Sequence, residues 1–172
     1  MNHPVQMFNY HAWANQTLLG KIKELPSSVL RQEVNISFPT IAQAFGHIYA
    51  VDSSWLQVLK GTGMREALET SMPLERETLL YSVDEFADRF ARLAEQYREW
   101  FRSQTDMEQT ILLENPYAGT RRTRLSEIVL HTVNHGTYHR GNVSTMFRQL
   151  GYASTMTDYA LFWYQEPAES HV

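Results

Sequence analysis

Hydrophobic residues recur at three- and four-residue steps in four long stretches, the period of a helix with one buried face. In the first, Met7, Tyr10, His11, Ala14, Leu18, Ile22 and Leu25 share a stripe. Pro4 suits its opening turn and Pro26 marks its stop, which predicts a helix over residues 4–25. The second runs from about Thr40 to Leu59, with Ala44, His47, Ile48, Val51, Trp55 and Val58 on one side. Thr40 and Gln43 have capping-box spacing, and Gly61-Thr62-Gly63 ends the helix. The third, Val83 to Arg102, opens on a second capping box, Ser82 with Glu85. Its broad apolar stripe of Phe86, Phe90, Leu93, Tyr97, Trp100 and Phe101 reads as core or as a dimer face. The fourth is Leu125 to Gly151, with Thr123 as cap, Glu127 in the first turn and Gly151 at the C′ position.

Between these stretches the period breaks. Residues 27–39 read as a connection. Residues 60–81 form a longer one, with Gly61, Gly63 and Pro73, which crosses the bundle or contains a helical turn. Asn115-Pro116 and Gly119 punctuate residues 104–123, which predicts a small hairpin or irregular arm. A short last helix is expected over Thr157 to Tyr164, followed by a frayed end at residues 165–172. The whole pattern predicts an all-α fold: one domain over residues 1–172, a four-helix bundle with long crossover connections and a small hairpin before the fourth helix.

Composition narrows the function. At 172 residues and 43% hydrophobic content the chain can bury a sizeable core without staples. It has no apolar run of about 18 residues, so no membrane-spanning helix is expected. The N-terminal MNHPVQMFNYHAWAN shows no secretory pattern, and a cytoplasmic location is the expectation. The net charge of −4 argues against a general nucleic-acid binder. Arg121, Arg122 and Arg124 then read as a solvated loop beside a helix start. Cysteine is absent, so a metal site would have to use His, Asp, Glu or water.

Histidine supplies the candidate chemistry. His131, His135 and His139 lie four residues apart on the fourth helix and form a column. His135 and His139 have the spacing of two helical ligands to one ion. His47 is a polar residue on a core-facing stripe. It reads either as a core histidine held by a hydrogen bond or as a third ligand sharing an ion with that pair. His11 reads as structural, and His131 as a supporting or buried structural residue, since one ion cannot reach three turns of one helix. Asp52, five residues after His47, points away from it and reads as a surface or helix-pairing carboxylate. Glu127 reads as a helix-start acid or a residue supporting the column. Tyr138 and Arg140 flank His139; Arg140 reads as a structural or anion-facing neighbour, and Tyr49, Asn134 and Asn142 read as pocket or packing groups.

Three segments together resemble one family. NHGTYHRGNVSTMFRQLG followed by TDYALFW, FGHIYAVDSSWLQVL, and YHAWANQTLL resemble the DinB (damage-inducible), or DinB/YfiT-like, metalloenzyme family, over about Met7 to Tyr164. The resemblance implies a four-helix bundle of unusual topology with a three-histidine metal centre, here His47, His135 and His139. It departs at Asn142, where the commoner family pattern has Gln. It implies relatives that are thiol S-transferases or thiol-dependent isomerases using low-molecular-weight thiols such as bacillithiol or mycothiol, and it favours a homodimer.

Three imidazoles leave a divalent ion, zinc or nickel first among candidates, with open positions, the pattern of a catalytic site. Those positions suit thiol transfer or hydrolysis of a small molecule. The alternative is a non-catalytic metal-binding stress-response protein whose ion is structural. Direct contact with DNA is not expected from the family name or from the charge.

Overall fold

The structure is a computed structural model and describes residues 3–165. Expected fraying at residues 166–172 lies outside the described residues. The chain is mostly helical. Its long helices are α1 (His3–Lys23), α2 (Ile41–Leu59), α5 (Val83–Ser103) and α6 (Leu125–Gln149). α1 lies against α5 and α6, and α2 against α6 and, over a shorter length, α5. The predicted starts hold where the caps are explicit. Thr40 accepts from the Gln43 amide, and Ser82 and Glu85 form a reciprocal capping box.

Five expectations need correction. The all-α reading gives way to a mostly helical chain with a small sheet: β1 (Thr110–Asn115) and β2 (Gly119–Arg124) pair antiparallel, with Ile111 opposite Thr123. The Asn115 side chain accepts from the Tyr117 and Ala118 amides, and Gly119 takes φ +90°, which closes the turn. Residues 60–81 are largely helical rather than a connection with one turn. They contain α3 (Met64–Ser71), α4 (Leu74–Glu77) and a 3-10 turn at Thr78–Leu80. The cap of α6 is Arg124, whose amide donates to Glu127, while Thr123 is a buried strand residue. The arginine cluster is strand rather than loop: Arg121 and Arg124 pair with Glu127, and Arg124 also with Glu108. The last helix shrinks to α7 (Tyr159–Phe162).

The core has two apolar clusters with a polar layer between them. One contains Phe8, Ala14, Trp55, Leu93, Tyr97, Val129 and Val133; the other contains Leu18, Ile22, Phe45, Ile48, Phe86, Val143 and Phe147. The aromatic stripe of α5 is divided between the two and is core, which removes it as a free dimer face. Along α6 the two clusters end at Val133 and begin again at Val143. The residues between include His135, Gly136, His139 and Arg140.

Asp52 is buried in this layer, as a helix-pairing carboxylate rather than a surface one. Its Oδ2 lies 2.8 Å from His11 Nε2, and Arg140 reaches His11 Nδ1 at 2.8 Å. Arginine can only donate, so His11 Nδ1 accepts and Nε2–H donates to Asp52. Arg140 also donates to Asn15 at 3.0 Å and to Thr137 at 2.9 Å. Tyr97 donates to the Asp52 backbone carbonyl at 2.7 Å. A neutral imidazole thus bridges a buried cation and a buried anion from α1, α2 and α6.

Gly136 is required by this arrangement, because a Cβ there would overlap the His11 ring and lie 3.0 Å from Arg140. A Cβ at Gly141, on the exposed side of the same helix, would meet nothing. Gly136→Ala should therefore destabilise the protein by about 1–3 kcal/mol through overpacking. Gly141→Ala should stabilise it by roughly 0.5–1 kcal/mol through helix propensity. Urea unfolding of both variants checks the opposite signs.

Candidate metal centre

α6 presents its histidines on a face turned about 100° from the Gly136–Arg140 face, because consecutive helical residues are separated by that angle. Fixing Gly136 and Arg140 against α1 therefore aims His135 and His139 at α2, where His47 waits. The three Nε2 atoms come together. His135 Nε2 is 3.2 Å from His47 Nε2 and 3.1 Å from His139 Nε2. All three donor atoms lie within 4.8 Å of one another. His139 is buried, and His47 and His135 are half-buried.

The proton inventory of this cluster is short. His47 Nδ1 lies 2.7 Å from Glu75 Oε1, so its proton sits on Nδ1 and its Nε2 offers a lone pair. A neutral His135 has one proton to serve two nitrogen contacts. If that proton is on Nε2, the buried Nδ1 of His135 has no protein partner. A cation at the centre uses all three Nε2 lone pairs at once. The spacing suits one: three nitrogens at a zinc–nitrogen distance of about 2.0–2.1 Å on a tetrahedral face lie roughly 3.3–3.4 Å apart. The donor set is therefore one that could hold a metal ion.

Electrostatics keeps the rings in the ligand form. Burial, and after it the neighbouring His139 and His47, pulls the His135 pKa from 6.5 to about 3. Burial and then His47 pull His139 to about 4. Both are neutral at pH 7, as coordination requires. Aromatic rings wall the cluster. Phe38 packs 5.2 Å from His47 and 5.3 Å from His139, centroid to centroid, and the exposed Tyr138 packs 4.9 Å from His139.

The other candidates separate from this centre. His131 is exposed and sits edge-on to Trp55 at 5.0 Å, which corrects a buried reading. His11 is structural, within the Asp52–Arg140 network. Glu127 serves the α6 start. Asn142 lies 3.5 Å from His139 Nδ1, at the limit of a hydrogen bond. Glu75, in α4, has no helical-spacing relation to any histidine, and only the packing of α4 on α2 brings it to His47. The larger clefts lie elsewhere. One of about 520 Å³ runs between residues 58–65 and the hairpin, and one of about 420 Å³ between α1 and α5. Neither is lined by the three histidines.

Comparison with known proteins covers nearly the whole chain. A sequence profile described as DinB family matches residues 1–170. The chain is 37% identical over 164 residues to Protein DinB of Bacillus subtilis (strain 168), spanning 95% of each. Its fold is similar to the crystal structure of a DinB-like protein from Bacillus cereus, with a TM-score of 0.64 and 21% identity, over 89% of this chain and 94% of that one.

The lowered histidine pKa values set a pH dependence in the metal-free protein. Below pH 6.5 the unfolded rings take up protons while the folded His135 and His139 do not. The unfolded state then binds more protons, so stability falls as pH falls from 6.5 toward about 4 and is insensitive to these groups above pH 7. Melting temperatures in chelator across pH 4–8 should show that slope, and His135→Gln and His139→Gln should each flatten it.

Proposed function

Because the chain belongs to the DinB family, we propose that His47, His135 and His139 hold one divalent metal ion and that the protein is an enzyme acting on a small molecule at that ion. The convergence of the three histidines carries the reading, with His135 Nε2 3.1–3.2 Å from the Nε2 atoms of His139 and His47. No other residue type is needed to explain those contacts, and an all-imidazole set suits zinc or nickel. When bound, such an ion supplies Lewis acidity and open positions.

The surrounding residues favour thiol (S-)transfer over hydrolysis. Hydrolysis calls for a base near the reacting water. Among the described residues, the carboxylate hydrogen-bonded to the cluster is Glu75, and it is engaged on the Nδ1 side of His47, away from the converging nitrogens. Asp52 is engaged with His11. A low-molecular-weight thiol brings its own nucleophile, and asks of the protein a cation and a place to lie. The half-buried cluster with Phe38 and Tyr138 beside it offers both. A second reading, a non-catalytic protein whose ion is structural, draws support from one observation: the triad ties α2 to α6, and neither of the two clefts described above reaches it.

Elemental analysis of protein purified without added metal or an affinity tag should find one metal per chain, lost in His47→Ala, His135→Ala and His139→Ala. Metal retained in all three variants contradicts the site. For the chemistry, chelation should abolish thiol-dependent turnover while the helices persist. A lowered melting temperature, with no turnover in a thiol screen at any stage, supports the structural ion instead.

A further inference from the structure

We infer that Glu75 is a positioning residue for the triad: it fixes His47 in the Nδ1–H tautomer and makes His47 the anchoring donor of the three. The inference rests on the reading of the triad as a metal site. A carboxylate accepts and never donates when ionised, so its 2.7 Å contact places the imidazole proton on Nδ1 and turns the Nε2 lone pair toward His135. Among the described residues, neither other ring has an equivalent. His135 Nδ1 is buried without a protein partner, and His139 Nδ1 has only the Asn142 amide at 3.5 Å. A hydrogen-bonded carboxylate behind a ligating imidazole raises its basicity and holds its orientation. Its charge also offsets part of the charge a divalent cation brings.

The placement of Glu75 is built into the fold. α4 packs on α2 at Gly46, the residue before His47, where any Cβ would overlap Thr78 Oγ1 and lie 3.4 Å from the Glu75 carbonyl oxygen. Thr78 is fully buried, and its hydroxyl donates to that carbonyl at 3.1 Å. Beyond it, Arg31 donates to the carbonyls of Leu79 and Tyr81 at 3.0 and 2.6 Å. The backbone carrying Glu75 is thus held on α2 at one end and pinned by Arg31 at the other. Residues 74–81 are part of the centre rather than a linker between helices.

The test combines zinc affinity, by chelator competition on the full chain, with the His47 tautomer, read from long-range 1H–15N spectra of the metal-free protein. Glu75→Ala should weaken zinc binding by about 10–100-fold. Glu75→Gln, whose amide oxygen can still accept from Nδ1, should lose less. Glu69→Gln, on the exposed side of α3, should match the wild type. His47 should be the Nδ1–H tautomer in the wild type and should lose that preference in Glu75→Ala. Equal zinc affinity in the wild type and Glu75→Ala overturns the inference, as does an Nε2–H tautomer in the wild type. If the wild type itself binds no zinc, the metal reading falls, and the His47 tautomer alone decides whether Glu75 positions that ring.

Discussion

The arrangement depends on one buried contact chain, Arg140 to His11 to Asp52. A guanidinium cannot accept a hydrogen bond and a carboxylate cannot donate one, so a single imidazole tautomer bridges the two. Each member comes from a different long helix, α6, α1 and α2. Removing one member would leave a buried charge without its compensation, a loss on the order of 3–5 kcal/mol. The chain therefore fixes the rotation of α6 about its own axis more firmly than apolar packing alone would. Apolar clusters on either side can be repacked with changes of volume; a bridged ion pair tolerates one geometry.

That rotation brings together the three histidines that could hold a metal ion. Arg140 and Gly136 are each adjacent in sequence to a donor, His139 and His135. Holding the first pair against α1 leaves the second pair no orientation but toward α2. The polar layer that interrupts the core thus has two halves. The inner half is charged, closed and engaged with itself. The outer half is three imidazoles, two of them, His135 and His139, with lowered proton affinity, half-open to solvent and backed by Glu75. The first half gives geometry, and the second gives coordination chemistry. Membership of the DinB family is consistent with this division, since the match runs through both halves.

The sequence disclosed the outer half better than the inner. His135 and His139 are legible because helical spacing alone puts them on one face, and His47 because a polar residue on an apolar stripe calls for a partner. Asp52 was legible only as one of two alternatives, surface or helix-pairing, since helical angles place it away from His47 but do not say that α1 covers it and supplies its partner. Glu75 left no trace: it belongs to a four-residue helix too short for a period to show, in a stretch marked by glycine and proline. Gly46 and Gly136 were equally silent, because close approach between elements has no local signature. The hairpin was legible in Asn115, Pro116 and Gly119, whose turn chemistry is local. The start of α6 at Leu125 was legible, but its cap was displaced by one residue, because Thr123 is a good cap by type but is committed to β2.

The central claim is that three imidazoles, and no protein carboxylate, bind the ion and leave positions free. X-ray absorption on the zinc-loaded protein tests it most directly. The account predicts three imidazole nitrogens at about 2.0–2.1 Å, with the remaining coordination supplied by solvent or an added thiol. Addition of a small thiol should bring in a sulfur neighbour at about 2.3 Å. Fewer than three imidazoles, or a fourth ligand from the protein that no thiol displaces, would contradict it.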